Sequence, residues 1–523
     1  MRPNSLLTGA ALALSLFSPA PALPSDALMQ TVRALQARGP QPLAGTTVTS
    51  AVLLPRIYES RGFEPLWTDP AAVDDLVRAI AESASVGLDP ADYHMATIAR
   101  LRAAGDRDDR ACADLDVILT DALVRLAYHA RFGKVDPQRL DTDWNYSRPL
   151  IGPDPAAVLR KAIEARHLSE FLDKIGPQSL FFRRTRDALA QYRALAAQGG
   201  WPSIPAGPAL EVGRSGQRVA ILRRRLAITA DLDEQAGAAT GDVFDASLAE
   251  AVEAFQRRHG LAADGVVGTA TLRALNVPVA DRIEQLRATL ERCRWVLHDA
   301  PRRFVLVNVA GFKAYFVAEG TRVWETRVVV GKPYTKTPIF RADMKYIVLN
   351  PDWTIPASIV RNEVMPGMRR DPRYLEKKGF RRVDGQFVQP PGPKNALGRI
   401  KLMLPNSHSV YLHDTPSKSF FEQTTRTFSH GCVRVERPVE LAALVLDDPA
   451  WSVDALERAI ATGKSQTLTL RQPVPVLILY WTAAMDRDGK VEFLPDVYGR
   501  DAAIIRELHA PPRPPKDPLL PRS

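Results

Sequence analysis

Residues 304–317 read FVLVNVAGFKAYFV. Apolar and β-branched residues follow one another, broken once by Gly311, and no three/four spacing runs through them. That pattern predicts strands. RVWETRVVVG (322–331), KYIVLNP (345–351) and SVYLHD (409–414) continue it, each punctuated by glycine, proline or asparagine. Everything before Arg303 reads differently, so the period change divides a helical half from a mainly β half.

On the helical side, TVRALQARG (31–39), DDLVRAIAESASVG (74–87) and LDVILTDALVRLAYHARFG (115–133) carry three/four apolar spacing and end at glycine, as amphipathic helices do. They predict a mostly helical scaffold over 26–198. His94, His129 and His167 are scattered on it and read as surface or core residues. GGWPSIPAGP (199–208) marks a boundary. A compact unit follows over 210–278. Ser215 is expected to cap a helix carrying Val219, Leu222 and Leu226; Leu248, Val252 and Phe255 line a second helix; a glycine-containing turn and a threonine cap open a third.

Between Pro351 and Lys394 runs a charged, proline-rich insertion, a lid or binding loop over 352–394. VELAALVLDD (439–448) predicts a helix with proline at its first turn. VPVLILYWTA (474–483) is strand-like, with DGKVEF (488–493) expected as its hairpin partner, inside an extension over 473–508. The proline-rich 509–523 is expected to be disordered.

Length and composition frame this order. The chain of 523 residues is too long for one core and suggests three or four domains. The formal charge of +10 arises without a lysine–arginine run or aromatic–basic interleaving, so it predicts a solvated surface with some attraction to polyanions, a reading that cell-wall polymers, outer-membrane surfaces and nucleic acids all satisfy. MRPNSLLTGAALALSLFSPAPA has a basic start, an apolar stretch and Ala20-Pro21-Ala22, the layout of a signal peptide over 1–22. No later apolar run is long enough to span a membrane, so a soluble, exported chain without a transmembrane segment is expected.

Export sharpens the question of the three cysteines. Cys293 keeps step with Ile283, Leu286, Leu290 and Leu297, and Cys112 with Leu115, Leu119, Leu123 and Leu126; both read as core residues. Cys432, in RTFSHGCVRVERP (426–438), has no such explanation. His413, His430 and Cys432 are a possible N/S ligand set for zinc, but no CxxC, HExxH or spaced carboxylate accompanies them. The competing reading makes Cys432 a nucleophile: His413 ends a strand facing its loop, Arg434 adds positive charge, Gly431 permits close approach, and the amides around Cys432 could hold an oxyanion. Tyr411 shares the strand face of His413 and offers a hydroxyl.

YLHDTP…FSHGCVRVERP resembles the signature of the L,D-transpeptidase catalytic domain, with a match over about 301–466. AFQRRHGL…DGVVGTATLRAL resembles the peptidoglycan-binding module of wall hydrolases. LNPDWTIP, the insertion and the C-terminal extension are similar to the large multidomain periplasmic subgroup of that family. The resemblance implies a multidomain α+β chain: a helical scaffold, a three-helix module and a mainly β catalytic domain with a lid. It also implies a cysteine-dependent acyltransferase of cell-wall biogenesis that needs no metal or cofactor. Cys432 would attack the third stem residue of a tetrapeptide donor, release D-alanine, and pass the acyl group to another stem's amine as a 3→3 crosslink.

His413 would serve as base. His430 would orient the loop, donate to substrate or simply pack; Ser429 would orient or cap; Arg434 would hold a substrate carboxylate or buttress the loop; Trp353 would line the cleft or anchor the lid. Asn395 and Gly398 read as structural, and His408 as a loop residue. Peptidoglycan stem peptides are the expected partners, with glycan strands on 210–278 and no nucleic acid. Trimming by the same site, anchoring of a protein to the wall, and a non-catalytic wall-binding role remain alternatives.

Overall fold

The computed structural model describes residues 25–104, 108–141, 144–145, 153–233, 241–298, 300–486 and 488–514. Residues 1–22, read above as a signal peptide, and residues 515–523 lie outside them; Arg506 and His509 still belong to a helix, Asp501–His509.

The N-terminal domain is helical, as its spacing predicts. Helix α1 (Asp26–Arg38), capped by the Ser25 hydroxyl, packs Leu28, Val32 and Leu35 against helix α2 (Asp109–Phe132), which contributes Leu119, Leu123 and Leu126. A short hairpin, Gln41–Leu43 with Thr46–Val48, interrupts the helices without a periodic signal. Buried Asp121 holds the chain beyond it, accepting from the amides of Thr49 and Ser50 and pairing with His94 and Arg125. Those bonds outweigh burial and keep the Asp121 carboxyl down at about 2. His94 and His129 are thus core residues, while His167 is exposed.

Cys112 corrects its expectation. It is exposed, because the first turn of α2 projects past the core and burial begins at Ala113. Cys293 is fully buried, and burial drives its thiol far above the ordinary range.

Helix α3 (Leu180–Ala197) leads to the small module: α4 (Gln217–Ile228), α5 (Ala246–Arg258) and α6 (Thr269–Leu275) around Val219, Leu222, Leu226, Leu248, Val252 and Phe255. Neither predicted cap forms. Gly216 and Gly268 occupy the two N-cap positions, and Ser215 bridges to Val243 instead. Buried Gln256 fixes the DGVVG turn, donating to Asp264, the Val266 carbonyl and Thr271.

Helix α7 (Val279–Val296) joins the domains. Every residue from Leu286 to Val296 is buried. Arg287 and Arg294 donate to the carbonyls of Gly87 and Val86 in the scaffold, Glu291 accepts from the Val135 amide, and Gln285 donates to Thr482 and Leu494 near the C-terminus. Charged residues on an all-round buried helix persist because each is paired or bonded.

The β half runs β1 (Arg303–Asn308), β2 (Lys313–Ala318), β3 (Thr321–Gly331), β4 (Arg341–Leu349), β5 (Ile400–Met403), β6 (Leu412–His413), β7 (Thr427–Ser429), β8 (Val433–Val435) and β9 (Gln466–Leu479). The order is β7-β3-β8-β6-β5-β4-β9-β1-β2, and β2 also pairs with β3, which closes all but β7 into a barrel. Closure leaves β7 as the remaining edge strand of this sheet. Helix α8 (Pro438–Leu446) packs Leu441, Ala442 and Val445 into the same core, with the predicted proline in its first turn.

The strand-like 474–483 run divides. Val474–Leu479 is the second half of β9, inside the barrel; DGKVEF pairs with the following Ala483–Met485. The insertion is a folded subdomain: short helices, a π-turn at Val360–Val364, and a three-stranded sheet of Trp353–Thr354, Gln386–Gln389 and Arg381–Val383. Asn395 ties its two ends together, donating to the carbonyls of Pro351, Gln389 and Pro390. The chain closes in α9 (Asp501–His509), which packs on α7 through the Arg292–Asp501 ion pair.

Candidate active site

Strand register brings the candidate residues together. Lys401 of β5 pairs with His413 of β6, and His413 pairs with Arg434 of β8, so the three side chains share one face. One alternation back, Tyr411 and Cys432 lie side by side on that face: the Val433 amide donates to the Tyr411 carbonyl, and the Tyr411 and Cys432 side chains hydrogen-bond. The Lys401 ammonium sits 4.0 Å above the Tyr411 ring, whose edge meets the His413 imidazole with centroids 5.6 Å apart.

The turn carrying Cys432 is stapled by one side chain. Buried Ser429 Oγ accepts from the Gly431 amide at 3.1 Å and donates to the Cys432 carbonyl at 2.6 Å. Gly431 sits at φ +119°, a conformation that L side chains avoid. Its carbonyl accepts from Thr337 Oγ1 at 2.8 Å, and that oxygen in turn accepts from the Gly331 amide. A Cβ at Gly331 would collide with the Thr335 carbonyl. Tyr498, from the C-terminal segment, completes the buttress: its hydroxyl donates to the Gly331 carbonyl and accepts from the Thr337 amide. With the amides of Gly431 and Val433 engaged, the Cys432 amide alone of the three makes no hydrogen bond to a described residue.

Burial pushes the Cys432 thiol above its ordinary range, opposed by hydrogen bonding from Tyr411 and by the charges of Lys401 and Arg434. Burial, and then the Arg434 charge, hold the His413 imidazole down at about 3, so it is neutral at physiological pH. Its Nδ1 is buried with no hydrogen-bond partner among the described residues. Nor does a hydrogen bond link His413 to Cys432, whose Sγ lies 3.7 Å from the Ser409 carbonyl. The resting pair is therefore a neutral thiol and a neutral imidazole, with both positive charges supplied by Lys401 and Arg434.

The remaining candidates separate. His430 turns outward, its Nε2 2.5 Å from the Glu363 carboxylate on the π-turn of the insertion. Arg434 stacks over Phe420 at 5.7 Å and makes no hydrogen bond to a described residue, its Nε being buried and bare. Trp353 pairs with Gln389 and meets Phe380 edge-on within the insertion, and its side chain hydrogen-bonds Tyr411. His408 lies in a turn against Phe340. His413, His430 and Cys432 do not gather, and no described group of three or more His, Cys, Asp or Glu residues could hold a metal. Lys401, Glu363 and Tyr498 carry no motif signal.

Three stretches match known families: residues 52–189 a "Scaffold domain", residues 215–275 a "Putative peptidoglycan binding domain", and residues 302–475 the "L,D-transpeptidase catalytic domain". The chain carries an L,D-transpeptidase catalytic domain and a peptidoglycan-binding domain. A curated relative from Haemophilus influenzae, named "Putative L,D-transpeptidase", is 23% identical over 478 residues, covering 86% of this chain and 78% of its own length. Among solved structures, an L,D-transpeptidase from Mycobacterium smegmatis is 11% identical over 34% of this chain and 58% of its own, with a TM-score of 0.20. One from Xylanimonas cellulosilytica is 18% identical over 53% of this chain and 99% of its own, with a TM-score of 0.18.

The L,D-transpeptidase domain match ends at residue 475, inside β9. Residues beyond it nonetheless reach the Cys432 turn, through Tyr498.

Proposed function

We propose that this chain is a periplasmic peptidoglycan L,D-transpeptidase that forms 3→3 crosslinks through a thioester on Cys432. The observation that carries this reading is the Ser429-stapled turn, which holds Cys432 beside Tyr411, Lys401 and Arg434 on the face that bears a neutral His413. The peptidoglycan-binding domain supports peptidoglycan as the substrate. The signal-like sequence supports export, and no helix among the described residues is long and apolar enough to cross a membrane.

In the proposed reaction Cys432 Sγ attacks the carbonyl of the third stem residue and its proton passes to His413. The tetrahedral oxyanion takes hydrogen bonds from the Cys432 amide and the Tyr411 hydroxyl. The carbon–nitrogen bond to the terminal D-alanine breaks, and His413 returns the proton to the leaving amine. The acceptor amine then attacks the thioester and loses a proton to His413; the carbon–sulfur bond breaks, and His413 returns that proton to the departing Cys432 thiolate. Arg434, whose guanidinium is unspent, pairs with the donor's carboxylate. Lys401 and Arg434 stabilise the thiolate at the moment it forms, a task for fixed charge because His413 is not cationic at rest.

Lys401→Gln is expected to move the pH profile of Cys432 alkylation by iodoacetamide to higher pH, because losing a nearby cation disfavours the thiolate. An unchanged profile would remove Lys401 from the site.

The His430–Glu363 pair ties the insertion to the nucleophile turn, so the insertion acts as a lid that shields the thioester from water. Glu363→Ala is expected to raise the ratio of tripeptide to crosslinked dimer about two- to fivefold, the range of one partly exposed ion pair. Chromatography of the products measures it, and an unchanged ratio would remove the pair from lid closure.

A further inference from the structure

A cavity of about 380 Å³ opens behind the nucleophile turn, where the helical domain, α7 and the C-terminal segment meet the barrel. Its walls include Trp144, Trp481 and Tyr498; its charged lining includes Arg139, Lys336 and Arg292. Two of the cations facing it are neutralised: Arg500, also in the lining, pairs with Asp141 at 2.5 Å, and Arg292 with Asp501 at 2.5 Å. Arg139 and Lys336 have no carboxylate partner among the described residues, and Lys336 spends one proton on the Tyr498 carbonyl. Arg292, with 5% of its side chain exposed, keeps Nη2 buried and without a hydrogen-bond partner. Two unbalanced cations and one bare guanidinium donor thus face a space with aromatic walls.

We infer that this cavity is a second binding site, and that it takes a single anionic sugar. Aromatic walls stack on the flat faces of a pyranose, the volume suits one ring with its substituents, and the anion replaces the counter-charge that Arg139 and Lys336 lack. A wall-derived muramic acid and a free sugar phosphate share this chemistry. The site lies across the 335–337 segment from Cys432: Lys336 lines the cavity, while Thr337 holds the Gly431 carbonyl. The inference rests on the lining alone and needs no turnover.

The test is isothermal titration of the full chain carrying Cys432→Ala with N-acetylmuramic acid, glucose 6-phosphate and neutral N-acetylglucosamine. At least one anionic sugar is expected to bind, with affinity falling as salt is raised, and N-acetylglucosamine is expected to bind far more weakly. Arg139→Gln with Lys336→Gln is expected to weaken binding about tenfold, the loss of roughly one charge-assisted hydrogen bond. Binding of N-acetylmuramic acid alone would identify the wall as the source, and of glucose 6-phosphate alone a soluble metabolite. The salt dependence reports on the site even where the double variant fails to fold. No binding by either anion, equal binding of the neutral sugar, or affinity indifferent to salt and to both substitutions would overturn the inference.

Discussion

His413→Ala is expected to lower acyl transfer by about a hundred- to ten-thousandfold, the span of a lost general base, with the fold retained. Rates of D-alanine release from a tetrapeptide donor measure it. The expectation follows from the environment of the ring. His413 is buried between Lys401 and Arg434 in register, and both burial and positive charge favour its neutral form. A base must be unprotonated to act, and this one stays so well into acid. Activity should therefore show no loss near pH 6.5 attributable to His413, as an exposed histidine would give.

The same shift fixes a sign for stability. In the unfolded chain the ring binds a proton near pH 6.5, whereas folded it does so at about 3. Between those values the unfolded state holds more protons, so this contribution to stability is full above about pH 6.5 and is lost as pH falls toward 3. His413→Ala is expected to flatten that limb in thermal melts recorded across pH. A loss of activity centred near pH 6.5 that disappears in the variant would mean the ring is solvated and the base ordinary.

The second large effect concerns Ser429, which contacts no substrate in the proposed reaction. Its hydroxyl is buried and bridges the Gly431 amide and the Cys432 carbonyl. Ser429→Ala strands both groups, at an expected cost of about 1–3 kcal/mol. Turnover is expected to fall about a hundredfold, as a displacement near 1 Å of a reacting atom produces. Denaturant unfolding and the rate of D-alanine release separate the two. A stability loss with turnover unchanged would make Ser429 a plain turn cap; a rate loss with no stability loss would mean that the hydroxyl acts on the substrate.

The turn carrying Cys432 stood out as a candidate because its residue types are concentrated: Ser429, His430, Gly431, Cys432 and Arg434 fall within six positions. The helix–strand division at Arg303 was equally plain, since period is a local property of sequence. What the sequence withheld depends on register and distance. Lys401 is one lysine in an apolar run, and only its pairing with His413 across β5 and β6 makes it part of the site. Tyr498 comes from a segment that reads as an appendage, yet its hydroxyl braces Gly331 and Thr337. Glu363 lies in a charged insertion with nothing to single it out until it meets His430.

Cys112 shows the opposite failure. Its spacing with Leu119, Leu123 and Leu126 is correct, but periodicity cannot tell where along a helix the covering core stops. One of the two missing caps in the small module has a conformational cause. Glycine with unusual backbone angles turns the chain at Gly216 more cheaply than a serine could, leaving Ser215 one position early.

The most direct test of the account is mass spectrometry of the purified chain incubated with a defined disaccharide-tetrapeptide, beside Cys432→Ala. An acyl adduct on Cys432, formed with release of D-alanine and absent from the variant, followed by 3→3 dimer, is the expected result. A folded chain that gives neither adduct nor released alanine would contradict the transpeptidase reading and leave a wall-binding protein in its place.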